Sequence, residues 1–276
     1  MITLNGTPIV PTIFPDGTSQ VWKLDSLLPD HNVVVWRFEQ EVELVWLLQL
    51  AMLLDVTTVH QHLVMPYLPY ARQDKEVQND RTFALKTLTC MLADSIWTSI
   101  TTFDAHNPEP LEYLFERQYR NVMPDLTALC EGYDGVIFPD AGAQARYGHL
   151  LPAGLPSLTA TKERDQDTGR ITRYTLAHID RLWGARVLVV DDLCDGGATF
   201  LALADALADV VADAGLYVSH GVFSKGLDAL LGRYGRIITT DSILDPSADR
   251  YQQAITDGNL IVKEILALCV PSTPSC

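Results

Sequence analysis

The run Val187-Leu188-Val189-Val190-Asp191-Asp192-Leu193-Cys194-Asp195-Gly196-Gly197-Ala198-Thr199-Phe200 places three carboxylates and a glycine pair directly after strand-forming residues. Backbone amides of a turn that enters a helix N-terminus bind anions. Asp191 and Asp192 repel a phosphate, so they suit the hydroxyls of a sugar. The sugar's phosphate then rests on Asp195, Gly196, Gly197, Ala198 and Thr199, with Thr199 capping the helix. The plainer alternative is an Asp-rich loop that only caps a helix; two Asp at a strand end, a third Asp and Gly-Gly-x-Thr favour the ligand site. In Met65-Pro66-Tyr67-Leu68-Pro69-Tyr70-Ala71-Arg72-Gln73-Asp74-Lys75, a proline-stiffened turn offers Arg72 and Lys75 to anionic oxygens, with Gln73 as a neutral hydrogen-bonder. Lys162 and Arg164 are two cations two residues apart, which suits a phosphoryl group gaining charge. In Asp140-Ala141-Gly142-Ala143 the glycine lets amides approach phosphate oxygens, and Asp140 can ligate Mg²⁺.

Alternating strand-length and helix-length patterns must position these groups. Strands are expected at Val33–Trp36, Val56–Val64, Ser99–Phe103, Gly135–Phe138, Leu158–Thr161, Arg186–Val190, Tyr217–Phe223 and Arg236–Thr240. Helices are expected at Glu41–Leu54, Thr82–Ile96, from Arg146, and at Thr199–Ala214 closed by Gly215, with Leu111–Phe115 a short helix or turn. The segment Lys162–Arg173 is a hydrophilic stretch, and Leu260–Leu268 fits a strand or a helix. Repeated strand–loop–helix units imply a parallel α/β fold with ligands beyond the strand C-termini. The pattern restarts near residues 120–130, which divides the chain into residues 1–125 and 126–276.

With 47% hydrophobic residues the chain has too much apolar content for disorder. The net charge of −15 argues against sequence-independent nucleic-acid binding and against docking on an anionic membrane. The longest apolar helical run, Val45–Leu54, falls well short of the roughly 20 residues a bilayer span needs. No basic, then apolar leader opens the sequence. Cys90, Cys130, Cys194, Cys269 and Cys276 are odd in number and widely spaced, against a disulfide framework or a thiolate zinc site. A reduced, soluble, cytoplasmic protein is expected.

The 187–200 run resembles the sugar-phosphate motif of the type I phosphoribosyltransferase fold. The 65–75 run resembles the P-Y-x-x-Y-A-R-Q-D-[RK] motif of the ribose-phosphate diphosphokinases, the phosphoribosyl-diphosphate (PRPP) synthetases. Alone, Arg72-Gln73-Asp74-Lys75 would read as a solvated turn; the longer match decides. Further segments resemble the same family, in its order, from residue 14 to about 225. Thr102-Phe103-Asp104-Ala105-His106 is similar to its M-D-L-H segment, which implies that His106 holds the magnesium of Mg-ATP. Phe138–Ala143 is similar to its diphosphate-binding loop, Lys162-Glu163-Arg164 to the start of its mobile catalytic loop, and Phe14-Pro15-Asp16-Gly17-Thr18 to its adenine-binding hairpin, which reaches a neighbouring subunit's ATP.

The resemblance implies two similar parallel-sheet, phosphoribosyltransferase-like domains, the first binding ATP and the second the sugar phosphate. It implies transfer of diphosphate from Mg-ATP to the 1-hydroxyl of ribose 5-phosphate, in a homodimer or larger homo-oligomer. Phe14, Asp16, Arg72, Gln73, Lys75 and His106 would bind ATP. His106 and Asp140 would hold Mg²⁺, and Lys162 and Arg164 would be catalytic. Thr18 stands where the family has glutamate, and a regulatory serine segment is missing after Lys75. Gly196 and Gly197 replace bulkier loop residues, which could open a groove for ADP-ribose as acceptor, as in phage-type NAD salvage enzymes. Rival readings are a base phosphoribosyltransferase and a non-catalytic regulatory partner.

Overall fold

The computed structural model describes residues 1–24, 28–56, 60–75, 82–164 and 171–270, in two compact units. The first comprises Met1–Met123 together with the segment from Ile265; the second is Pro124–Glu264.

In the first unit the order is β1 (Ile2–Leu4), β2 (Thr7–Pro8), β3 (Thr12–Ile13), β4 (Ser19–Gln20), β5 (His31–Trp36), α1 (Val42–Asp55), β6 (His60–Met65), α2 (Ala84–Ala93), β7 (Ser99–Phe103), α3 (Glu109–Phe115) and β8 (Tyr119–Val122). Its sheet runs β2-β1-β5-β6-β7-β8, parallel from β5 to β8, with β1 and β2 antiparallel at one edge; β3 and β4 form a separate hairpin. Val34, Trp36, Leu63 and Met65 join one apolar cluster, whereas Val35, Val64 and Phe103 join another. Successive side chains alternate between faces, and both faces are covered, which is why these strands read as unbroken apolar runs. The helix α1 buries Leu47, Leu50, Ala51 and Leu54 on one stripe.

The second unit contains α4 (Leu126–Leu129), β9 (Gly135–Phe138), α5 (Ala141–Tyr147), β10 (Ser157–Arg164), β11 (Ile171–Leu176), β12 (Arg186–Cys194), α6 (Ala198–Leu207), β13 (Asp213–Gly221), α7 (Asp228–Leu231), β14 (Arg236–Thr240), α8 (Asp249–Thr256) and β15 (Leu260–Lys263). The sheet order is β11-β10-β9-β12-β13-β14-β15; only β11 is antiparallel. The central strand β12 buries Val187–Val190 completely. Among the described residues no helix is long and apolar enough to cross a membrane.

Several expected boundaries move. The helix expected to reach Ala214 stops at Leu207, and Gly215 lies inside β13, opposite Leu188 and Arg236. A Cβ at Gly215 would run into the Tyr133 hydroxyl, so close packing rather than helix termination requires the glycine. The helix expected from Arg146 starts at Ala141, because Asp140 caps it. Phe83 leaves helical geometry and Asp94 closes α2, which is shorter than Thr82–Ile96. Val56 caps α1 instead of opening a strand.

Within the hydrophilic stretch Lys162–Arg173, residues 165–170 lie outside the described residues, while Lys162–Arg164 extend β10, which pairs antiparallel with β11. The ambiguous Leu260–Leu268 resolves into two elements, β15 and then α9 (Leu266–Cys269). The second half therefore does not run to the end of the chain. Ile265 and Cys269 are buried against Val35, Val64 and Phe103 of the first unit, and Arg120 donates to the carbonyls of Leu268 and Cys269.

Candidate active site

In the second unit the expected site residues follow the C-terminal ends of neighbouring parallel strands: Asp140–Ala143 after β9, Lys162 and Arg164 at the end of β10, and Asp191–Thr199 at and after the end of β12. That is the ligand-binding edge of an open α/β sheet. Strand pairing holds β12 past Val190, with Asp191 opposite Val218 and Cys194 opposite Gly221. Asp192 is buried, while Asp191 is half-buried and its Oδ1 accepts the Asp192 amide at 2.9 Å. Burial, then the carboxylates of Asp192 and Asp140, hold the Asp191 carboxyl well above the usual range. This concentration of negative charge suits hydroxyl donors or a divalent cation.

Thr199 is not the helix cap. Gly197 occupies that position with φ +77°, a left-handed conformation open to glycine, and Ala198 and Thr199 form the first turn of α6. Lys225 and Leu230 border the space beside the two glycines. A Cβ on Gly196 would meet the Lys225 stem at 3.4 Å, and one on Gly197 would meet Leu230 at 3.3 Å. Asp195 is exposed. Cys194 is buried, and burial followed by Asp195 and Asp191 pushes its thiol up to about 12, so it stays protonated.

Asp140 Oδ1 accepts the Ala143 amide at 3.0 Å, so this carboxylate organises the first turn of α5, which contains Ala141 and Gly142. The Lys162 backbone pairs with Tyr174 and that of Arg164 with Ile171, with a shift of register between Glu163 and Arg164.

In the first unit, the turn after β6 is built from Tyr70 in a left-handed conformation (φ +61°), the Gln73 amide donating to the Tyr70 carbonyl at 2.8 Å, and the Tyr70 hydroxyl donating to Glu41 at 3.0 Å. Leu68 and Ala71 are buried beneath it, and Arg72, Gln73 and Lys75 point outward. Asp74 Oδ2 accepts from Asn107 Nδ2 at 3.0 Å, which ties this turn to the loop after β7 that carries the half-buried His106. The structure thus brings Arg72, Gln73, Lys75 and His106 to adjacent loops.

Phe14 and Asp16 lie elsewhere in that unit, on the exposed β3–β4 hairpin. Asp16 Oδ1 accepts both the Thr18 hydroxyl, at 2.7 Å, and the Thr18 amide, at 3.0 Å. These bonds hold its carboxyl below the usual range. Thr18 therefore fixes the hairpin's acid. The hairpin hydrogen-bonds to α1, Gln49 Oε1 accepting from the Val21 amide and Gln49 Nε2 donating to the Ser19 carbonyl. Among the described residues no group of three or more His, Cys, Asp and Glu forms a metal shell.

Two features of the second unit escaped sequence reasoning. The buried His220 pairs through Nδ1 with Ser242 Oγ at 2.8 Å, at the ends of β13 and β14. The turn Val222–Gly226 docks on the Cys194–Gly196 loop. His220, Val222 and Phe223 fall inside the expected strand Tyr217–Phe223, whereas β13 ends at Gly221 and Phe223 turns to φ +46°.

No family model matches the sequence. Curated relatives named ribose-phosphate pyrophosphokinase come from Sulfolobus acidocaldarius (27% identical over 248 residues, covering 84% of this chain and 83% of the relative) and Sulfurisphaera tokodaii (28% over 250 residues, 85% and 84%). The fold matches a phosphoribosylpyrophosphate synthetase from Mycobacterium smegmatis with TM-score 0.77 at 19% identity, over 95% of this chain and 87% of that one. These relationships, with the parallel sheets described above, make the chain similar in sequence to the ribose-phosphate pyrophosphokinases and give it the fold of a phosphoribosylpyrophosphate synthetase.

Proposed function

We propose that the protein moves the β,γ-diphosphate of Mg-ATP to the anomeric 1-hydroxyl of ribose 5-phosphate, giving PRPP and AMP. The observation that carries this reading is the paired carboxylate at the end of β12, leading into the Gly197-capped start of α6 and sharing its electrostatic environment with Asp140. The 1-hydroxyl oxygen bonds to the β-phosphorus and loses its proton. The bond from that phosphorus to the oxygen bridging it to the α-phosphate breaks, and AMP leaves with that oxygen. Such a reaction needs positioning and charge neutralisation more than covalent catalysis.

Asp191 and Asp192 accept from the ribose 2- and 3-hydroxyls. Asp195, Gly196, Gly197, Ala198 and Thr199 hold the 5-phosphate. Arg72, Gln73, Lys75 and His106 bind ATP, and the amides of Ala141, Gly142 and Ala143 take diphosphate oxygens. Lys162 and Arg164 stabilise charge on the moving group. Asp140 and His106 would each serve as a ligand for Mg²⁺ carried by substrate phosphates, and the metal would supply charge neutralisation; magnesium ordinarily uses one or two protein carboxylates plus substrate.

Phe14, 39% exposed at its hairpin, and Asp16 complete the adenine site of a second copy, so the active form is at least a dimer in the cytoplasm. The Lys225 stem beside Gly196 supports ribose 5-phosphate over ADP-ribose as the acceptor. Mass spectrometry of reactions with ATP, Mg²⁺ and either acceptor tests this. Ribose 5-phosphate should gain a diphosphate as AMP appears; a much higher kcat/KM with ADP-ribose, or no transfer to either, overturns the reading.

A further inference from the structure

The Asp191–Thr199 loop contains three carboxylates and no basic residue, and Thr199 is its one hydroxyl. A phosphoester bound there therefore needs positive charge from elsewhere in the unit. The turn after β13 supplies it. The amides of Val222 and Phe223 both donate to the Cys194 carbonyl, at 3.0 and 3.1 Å, and the Ser224 amide donates to the Asp195 carbonyl at 3.2 Å. The turn is thus fastened to the loop at three consecutive residues. Phe223 is buried and held at φ +46°, a conformation a bulky residue adopts only when its surroundings fix it. The Gly226 amide closes the turn on the Phe223 carbonyl at 2.8 Å.

Lys225 is exposed at this turn. Its Cδ and Cε lie 3.4 Å from the position a Gly196 Cβ would take, and its ammonium is one bond further on. Among the described residues no carboxylate pairs with it. The lysine stem thus lies against the loop at residue 196. We propose that Lys225 is a specificity-determining residue that supplies the positive charge for the acceptor's terminal 5-phosphate. This rests on the functional reading above and adds a ligand from a different strand end.

The test compares Lys225→Gln, which keeps most of the stem and removes the charge, with Lys225→Arg. For Lys225→Gln the KM for ribose 5-phosphate should rise about tenfold or more, as expected for a lost charge-assisted contact. KM for ATP and kcat should stay within about twofold, and Lys225→Arg should recover most of the loss. Calorimetric titration with ribose 5-phosphate alone should show the same weakening, and it keeps the two readings apart. Wild-type protein that binds ribose 5-phosphate but forms no PRPP defeats the functional reading only. Unchanged binding in Lys225→Gln defeats the role of Lys225, as does a loss confined to ADP-ribose or a matching loss of ATP affinity. Equal melting temperatures for wild type and Lys225→Gln exclude a folding cause.

Discussion

Asp191 Oδ1 accepts the backbone amide of its own neighbour, Asp192, at 2.9 Å, and this bond keeps two carboxyl groups side by side at the end of β12. Burial, Asp192 and Asp140 all disfavour a charge on Asp191. A raised folded-state pKa means that stability is lost as pH rises from the unfolded aspartate value through the folded one. Asp191→Asn should therefore raise the neutral-pH melting temperature, at roughly 2–4 °C per kcal/mol for a chain of this size. It should also flatten the pH dependence and lower AMP release by about 10²-fold or more, since it weakens an acceptor for the sugar hydroxyls. Thermal scans from pH 4 to 8 and a product assay check both halves; a lower melting temperature would refute the electrostatic account.

The carboxylate of Asp140 caps α5, the proposed function gives it a second task at Mg²⁺, and two substitutions separate the two. Asp140→Ala removes the bond to the Ala143 amide and should cost about 1 kcal/mol of stability, as lost helix caps do. Asp140→Asn keeps an acceptor there and should be at least as stable as wild type, while losing Mg²⁺-supported turnover. Urea melts and a Mg²⁺ titration of activity provide the comparison. An asparagine variant with normal turnover would leave Asp140 a cap alone.

Three histidines stack at the opposite end of the first unit's sheet from the loops that carry Arg72 and His106. The His31 ring lies 4.4 Å from that of His60 and 5.7 Å from that of His62, and His62 Nδ1 meets Ser99 Oγ at 2.7 Å. Burial, then His31, then His60, holds His62 below the ordinary histidine value of 6.5. The unfolded chain therefore takes up a proton before the folded one does, and stability falls as pH drops through about 6.5. Urea midpoints at pH 8.0 and 5.5 should differ accordingly, and His62→Gln should shrink the difference. The same slope in the variant would assign the effect to other groups.

Ile265 is 2% exposed and packs with Val35, Val64 and Phe103. Ile265→Ala should cost about 2–4 kcal/mol, the range for a buried aliphatic truncated to alanine. Hydrogen exchange should quicken in β5–β7 and stay unchanged in β12–β14. Equal acceleration in both sets would mean that the two units unfold together.

Strands β9 and β14 were legible to the residue because each is a short apolar run bounded by turn formers. The ends of α6 were not. The alternation of Ala, Asp and Val after Leu207 keeps a helical period, and nothing local reveals that Gly215 must pass beneath Tyr133. Thr199 looked like the cap by residue type, whereas the left-handed backbone at Gly197 decided the start. The carboxylates and the basic turn were visible as local runs. The approach of Lys225 to Gly196 was not, because it depends on the parallel register that sets Cys194 beside Gly221.

The return of Ile265 and α9 to the first unit makes that unit discontinuous along the chain. During synthesis from the N-terminus, the ribosome finishes β5–β8 well before it makes the residues that cover Val35, Val64 and Phe103. The intervening segment, Pro124–Glu264, is contiguous and can complete its own sheet first. The nascent first unit consequently waits through the synthesis of Pro124–Glu264 with one sheet face bare, the interval in which a chaperone or a second nascent chain can reach it.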